Sequence, residues 1–177
     1  MLQSRHLLLR PLTYEDAADL LQLQCQNKAF FQRFAMVRPS SFYTLEHQQS
    51  LIKQWEQNMQ NDVEYSFGIF HEHKLIGTIS LFQVFRGSLQ SAFIGYFVDK
   101  NYNGRGFGTE AVQLMVDYAF ETLHLHRIEA GVMPHNIGSI RVLEKSGFHK
   151  EGLAIKNVNI NGKWEDHQVL AIINPND

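Results

Sequence analysis

Residues 99–112 read DKNYNGRGFGTEAV and place three glycines, Gly104, Gly106 and Gly108, at alternate positions directly before an apolar helical pattern. Glycines at this density cost backbone entropy on folding, so we expect them to serve a purpose. The first N–H groups of a helix are unpaired and carry partial positive charge. Glycines before the helix let the backbone curl and let a bulky anion approach these groups. The stretch therefore predicts a phosphate-binding turn, with a tight turn without ligand as the alternative.

Two familiar phosphate motifs can be compared with this stretch. The nucleoside-triphosphate loop, Gly-x-x-x-x-Gly-Lys-Ser/Thr, does not occur. Gly106, Gly108 and Ala111 match the dinucleotide pattern Gly-x-Gly-x-x-Ala, and Glu129 stands about where a ribose-binding acid is expected. However, residues 99–105 separate this motif from its strand, and the first ninety residues supply no series of βαβ units. Dinucleotide binding therefore remains an alternative.

The surrounding sequence predicts one α+β domain spanning residues 1–177. Period-two runs and turn signals predict strands at 6–11, 63–70, 74–84, 91–98 and 126–133, and a final hairpin turning at Asn161–Gly162. Period-3.6 patterns predict helices beginning at Thr13 and Thr44, a helix from about Thr109 to His124, and a short helix from Asn136 to Gly147. Residues 28–43 are rich in aromatics and lack a clear period.

Composition restricts the classes of function. The chain has 177 residues, 16 basic and 18 acidic side chains, and a formal net charge of -2, which argues against nucleic-acid binding through bulk charge. The single cysteine, Cys25, excludes an internal disulfide and suits a reducing, cytoplasmic location. No apolar run reaches the length of a membrane span, so we expect no membrane association.

Longer stretches carry a family resemblance. IGYFVDKNYNGRGFGTEAV (94–112), followed by HRIEAGVMPHNIGSIRVLEKSGFHKEG (126–152), resembles the GNAT acetyltransferase superfamily, and more narrowly its RimJ/RimL-type branch, which acetylates protein N-termini. LLLRPLTYEDAADL (7–20) and NGKWEDHQVLAII (161–173) also resemble that branch. The resemblance implies a mixed, mostly antiparallel central sheet that splays open in the middle, with helices on both faces. It also implies acetyl-CoA as the co-substrate.

The same resemblance implies roles for individual residues. The backbone of Phe97 and Val98 would meet the pantetheine arm, and Asn136 the pantetheine or the thioester region. Ser139 would lie near the sulfur and serve as the acid. The pyrophosphate would be held by backbone N–H groups of Gly104, Arg105, Gly106, Phe107, Gly108 and Thr109. From their positions alone, Asn136 and Ser139 are equally well explained as helix-capping residues, and Arg105 as a solvated side chain.

Two positions depart from the family pattern. Phe93 stands where many members have a glutamate base, and Leu143 where many have a tyrosine acid. An α-amine of pKa about 7.8 is roughly a quarter neutral at about pH 7.4, whereas a lysine of pKa about 10.4 is only about 0.1% neutral. A site without a strong base therefore favours an α-amine acceptor. The alternatives are a small-amine acetyltransferase, acting on a polyamine or an aminoglycoside, and a non-catalytic acyl-CoA sensor.

Other polar and aromatic groups have competing explanations. The pairs His71/His73 and His124/His126 fall at a hairpin tip and a helix-to-strand junction, and no third ligand has metal spacing, so we expect no metal. The aromatics of residues 28–43 either belong to the core or line the acceptor groove. The final hairpin carries Trp164, Glu165, Asp166 and His167, which either attract a cationic acceptor or are simply solvated. A monomer and a homodimer are both compatible with the sequence.

Overall fold

The computed structural model describes residues 1–177 and contains eight β-strands and five α-helices. The strands are β1 (Leu2–Gln3), β2 (Leu8–Arg10), β3 (Glu64–His71), β4 (Lys74–Phe85), β5 (Ser91–Val98), β6 (Arg127–Val132), β7 (His149–Ile160) and β8 (Lys163–Ile173). The helices are α1 (Ala17–Gln26), α2 (Lys28–Phe31), α3 (Leu45–Gln60), α4 (Phe107–Glu121) and α5 (Ile137–Lys145). None of these helices is both long and apolar enough to cross a membrane.

All eight strands form one sheet in the order β1-β2-β3-β4-β5-β6-β8-β7. β5 and β6 are the only parallel neighbours, and every other pair is antiparallel. The parallel pairing covers only residues 91–93 of β5 and 127–129 of β6, after which the two strands separate. The sheet is therefore open between the ends of β5 and β6, which confirms the splayed, mostly antiparallel architecture.

The core is divided between the two faces of the sheet. The larger apolar cluster lies under α4 and α5 and includes Ile79, Ile94, Met115 and Leu143. The smaller cluster packs α1 and α3 against β3 and β4. Because side chains alternate along a strand, Tyr96 of β5 faces the α4/α5 side and its neighbour Phe97 faces the opposite side.

Most of the predicted elements are present, and the differences have local causes. Helix α4 begins at Phe107 rather than about Thr109, because Gly106 adopts a left-handed conformation and forms the N-cap. The segment predicted as irregular contains the short helix α2. Strand β1 was not predicted; it is two residues long and pairs only with β2. The final hairpin turns at Asn161–Gly162, as predicted.

Candidate active site

The glycine turn presents a row of free backbone donors. Gly104 and Gly106 have φ angles of 75° and 82°, and no protein atom lies within 4 Å of the position that a Cβ would occupy on either residue. The N–H groups of residues 104–109 find no acceptor within the protein, and the first helical bond runs from the N–H of Glu110 to the carbonyl of Gly106. These donors and the open space before them suit a bulky anion.

Two cationic side chains lie near this turn. The guanidinium of Arg105 lies over the rings of Phe107 and Tyr102, at 4.8 Å and 5.5 Å from their centroids. The ammonium of Lys74 lies 5.4 Å from the centroid of the Tyr102 ring. Neither cation forms an ion pair with an acidic side chain. Both therefore add to the positive field at the start of α4.

The opening in the sheet exposes one edge of β5. Beyond Phe93, β5 has no neighbour on the β6 side, while on its other side it remains paired with β4 as far as Val98 opposite Gly77. A Cβ on Gly77 would lie 2.3 Å from the carbonyl oxygen of Phe97, so the close approach of β4 to β5 requires glycine there. The backbone edge at Phe97 and Val98 is thus unpaired with any strand on the β6 side.

The start of α5 lies beside this edge. The side-chain oxygen of Asn136 accepts from the backbone N–H of Ser139 at 3.2 Å, so Asn136 caps the helix. The hydroxyl of Ser139 is 2.8 Å from the phenol oxygen of Tyr96. Burial raises the pKa of Tyr96 to about 12, which keeps the phenol protonated at neutral pH.

Tyr96 was not identified from the sequence. Strand alternation places it on the face that α5 covers, together with Ile94 and Val98, and that placement is readable in the sequence. The contact with Ser139 cannot be predicted from the local sequence, because the two residues lie 43 positions apart in the chain.

The two departures from the family pattern are explained by packing. Phe93 stacks on Phe82, with ring centroids 5.7 Å apart, and Leu143 is fully buried in the core. Phe93 is also the register partner of Glu129, which places the Glu129 side chain on the same face of the sheet. The Glu129 carboxylate is held by Arg127, whose Nε lies 2.9 Å from it. No free carboxylate therefore replaces the expected glutamate at this position.

The aromatic-rich segment after α1 lies over the open end of the sheet. Phe31 packs against Phe97 with ring centroids 5.0 Å apart, and Phe34 against His135 at 5.3 Å. The backbone N–H of Val37 donates to the side-chain oxygen of Asn161, at 2.9 Å, in the β7–β8 turn. This segment and the final hairpin are therefore joined by a hydrogen bond on the side of the sheet opposite α4 and α5.

The remaining sequence candidates lie on the final hairpin or are histidines considered as metal ligands. On the final hairpin, Trp164 is exposed, His167 is buried, and Asp166 accepts from the backbone N–H of Lys156 at 2.8 Å. The structure contains no group of three or more His, Cys, Asp or Glu side chains placed to hold a metal ion. A cleft of about 350 Å³ beside β1 and β2 contains no residue of the glycine turn.

The topology of the sheet does not match that of a dinucleotide-binding domain. A dinucleotide-binding sheet is built from successive parallel βαβ units. Here only one parallel pair is present, and Glu129 is engaged by Arg127 rather than left free for a ribose.

The splayed sheet and the glycine turn at the start of α4 define the class of this protein as a GNAT-type N-acetyltransferase. Residues 6–149 match the family described as "Acetyltransferase (GNAT) domain", so the chain belongs to that family.

The chain is also similar to individual proteins of known sequence or structure. The chain is 59% identical to "Probable N-acetyltransferase YjcK" of Bacillus subtilis (strain 168), over 100% of this chain and 99% of the relative. It is 31% identical to "[Ribosomal protein uS5]-alanine N-acetyltransferase" of Escherichia coli (strain K12), over 98% and 91% of the two chains. The solved structure of Mycobacterium smegmatis RimJ in complex with CoA-disulfide has a TM-score of 0.90 at 29% identity, over 94% and 81% of the two chains.

Proposed function

We propose that this N-acetyltransferase uses acetyl-CoA and transfers the acetyl group to the α-amine at a protein N-terminus. The observation that carries the proposal is the row of unpaired N–H groups at residues 104–109, which opens beside the exposed edge of β5. The acceptor class is supported by the full-length similarity to an alanine N-acetyltransferase of a ribosomal protein. We further propose that residues 1–177 act as a single catalytic domain.

Three parts of acetyl-CoA have matching groups in this arrangement. The pyrophosphate would accept hydrogen bonds from the backbone of Gly104, Arg105, Gly106, Phe107, Gly108 and Thr109. Hydrogen bonds to a charged acceptor contribute about 1.5–3 kcal/mol each. The amide groups of the pantetheine arm would pair with the free edge of β5 at Phe97 and Val98, as an added strand does. The thioester would then lie near Asn136 and Ser139.

The two substrates would approach the opening from opposite faces of the sheet. Acetyl-CoA would lie on the side of α4 and α5, where Ser139 is located. The acceptor would enter through the groove between the Phe31–Val37 segment and the final hairpin. This arrangement brings an amine to the thioester carbon without either substrate crossing the other.

The reaction requires a neutral amine and a proton for the departing thiolate. The amine nitrogen bonds to the thioester carbon, the C–S bond breaks, the amine loses one proton and the sulfur gains one. Ser139 would donate its hydroxyl hydrogen bond to the sulfur as negative charge develops there. Because Phe93 and Leu143 supply neither base nor acid, an acceptor that is partly neutral at physiological pH is favoured.

The acceptor class can be tested with matched substrates. The purified protein is incubated with acetyl-CoA and a peptide beginning with alanine, the same peptide with a blocked N-terminus and an internal lysine, or spermidine. We expect acetylation of the free N-terminus, located by mass spectrometry, and little modification of the blocked peptide. Acetylation of spermidine alone would overturn the peptide acceptor, and no acetylation of any acceptor would overturn the proposed reaction.

A further inference from the structure

The phenol of Tyr96 and the hydroxyl of Ser139 form a hydrogen-bonded pair between β5 and the start of α5. The two oxygens are 2.8 Å apart, and the Tyr96 oxygen is also 3.4 Å from the backbone carbonyl of Ser139. The ring of Tyr96 packs against the larger core cluster under α4 and α5. The Ser139 hydroxyl has no other hydrogen-bond partner in the protein.

We propose that Tyr96 is a positioning residue for the acetyl-transfer reaction: it donates to the Ser139 hydroxyl and leaves the hydrogen of that hydroxyl directed into the opening of the sheet. This inference rests on the proposed function and assigns a role to a residue outside the acetyl-CoA contacts. A phenol carries a single hydrogen, and donating it to Ser139 occupies a lone pair of the serine oxygen. The serine is then itself a donor, which the departing sulfur requires.

The phenol acts through its hydrogen bond and keeps its proton. Burial raises its pKa to about 12, whereas an ordinary thiol has a pKa of about 8.5. Proton transfer from Tyr96 to a thiolate is therefore uphill, directly or through Ser139. A donated hydrogen bond instead polarises the serine O–H and strengthens the bond that the serine makes to the sulfur.

A purely structural role for Tyr96 makes different predictions. If the phenol only fastened α5 to β5, its removal would lower the melting temperature and loosen the acetyl-CoA site. Removal of the phenol hydroxyl would also change activity by the same factor whether or not residue 139 carries a hydroxyl. A positioning role requires that the loss of the phenol hydroxyl matter only while Ser139 is present.

The test is a double-mutant cycle of Tyr96→Phe and Ser139→Ala. It measures kcat with acetyl-CoA and an alanine-terminated peptide, the acetyl-CoA dissociation constant by calorimetry, and the melting temperature. Tyr65→Phe is the matched control, because Tyr65 also has a pKa raised by burial to about 12 and donates to a side chain, that of Asp62, but lies two strands away on β3.

We expect Tyr96→Phe to lower kcat about tenfold, within the range of one positioned hydrogen bond, while acetyl-CoA affinity stays within about twofold. In the Ser139→Ala background the same change should have almost no further effect, and Tyr65→Phe should leave kcat unchanged. Equal losses of kcat in both backgrounds, or unchanged kcat in Tyr96→Phe, would overturn the role of Tyr96 and leave the proposed function intact. A wild-type protein that binds acetyl-CoA but acetylates no acceptor would overturn both.

Discussion

The backbone N–H of Lys100 donates to the side-chain oxygen of Asn27 at a distance of 2.9 Å. Asn27 is fully buried at the junction of α1 and α2, and its amide nitrogen donates to the carbonyl of Leu23. One side chain thus joins the turn before the glycine stretch to the start of the aromatic-rich segment 28–43. One hydrogen bond therefore connects the segments that carry the two proposed substrate sites.

Replacing Asn27 by alanine is expected to lower stability and weaken acetyl-CoA binding. The change removes the acceptor of the Lys100 N–H, and an unsatisfied buried group costs about 1–3 kcal/mol. Unfolding in urea and acetyl-CoA calorimetry measure the two effects. Asn174→Ala is the matched control, because Asn174 is also buried. Its amide nitrogen donates to the carbonyl of Leu125, just before the start of β6, and its side-chain oxygen accepts from the N–H of Asn176. Equal acetyl-CoA affinity in the two variants would contradict the link.

The glycine turn can be tested by adding one methyl group. Gly106→Ala and Gly87→Ala both place a Cβ in open space at a positive φ, 82° and 67°, and each should cost about 1–2 kcal/mol of stability. Only Gly106 lies in the proposed pyrophosphate site. We expect acetyl-CoA affinity to fall at least about tenfold in Gly106→Ala, the equivalent of one charged hydrogen bond. Calorimetry showing the same affinity in both variants would remove the turn from the binding site.

The position of Phe93 offers a gain-of-function test. Phe93→Glu should introduce a carboxylate base on the acceptor face, beside the Arg127–Glu129 ion pair. Loss of the Phe82 stack should cost about 0.5–1.5 kcal/mol. We expect faster acetylation of lysine-containing peptides by Phe93→Glu than by the isosteric control Phe93→Gln, measured across pH. Equal rates for the two variants would show that position 93 lies outside reach of the amine.

Stability in acid should depend on Asp16. Arg10 donates two hydrogen bonds to the Asp16 carboxylate, at 2.8 Å and 2.9 Å, and holds the pKa of that carboxyl below its usual value of 3.8. The resulting stability is fully present above about pH 4 and is lost as pH falls through the lower, folded-state pKa. Asp16→Asn should therefore lose stability at pH 7 and show a shallower further loss in acid. Asp19→Asn, at an exposed position three residues further on in α1, should behave like wild type in urea titrations at pH 7 and in acid.

Local patterns in the sequence predicted the elements that carry the site, and long-range packing supplied the rest. Neighbouring residues alone define three of these elements: the glycine turn, strand 91–98 and the Asn161–Gly162 hairpin. They can therefore be predicted from the local sequence. The opening between β5 and β6 was expected only from the family resemblance, because the local sequence does not show where two neighbouring strands stop pairing. Contacts such as Asn27 with Lys100 join residues 73 positions apart and require the folded chain.

The short helix α2 was missed because four residues are too few to show a helical period. The aromatics around it were assigned either to the core or to the acceptor groove. In the structure, Phe31 and Phe34 are half-buried and lie against Phe97 and His135 at the open end of the sheet. Neither ring belongs to the two core clusters, and a place in an acceptor groove stays a prediction.

The most direct test of the account is release of CoA from acetyl-CoA, followed with a thiol reagent, for wild type and Ser139→Ala in the presence of an alanine-terminated peptide. The account predicts that the peptide stimulates release by wild type. It also predicts that Ser139→Ala lowers the stimulated rate about a hundredfold, within the range of lost oxyanion-type stabilisation, and leaves acetyl-CoA affinity nearly unchanged. Tight acetyl-CoA binding without stimulated release, or full activity in Ser139→Ala, would contradict it.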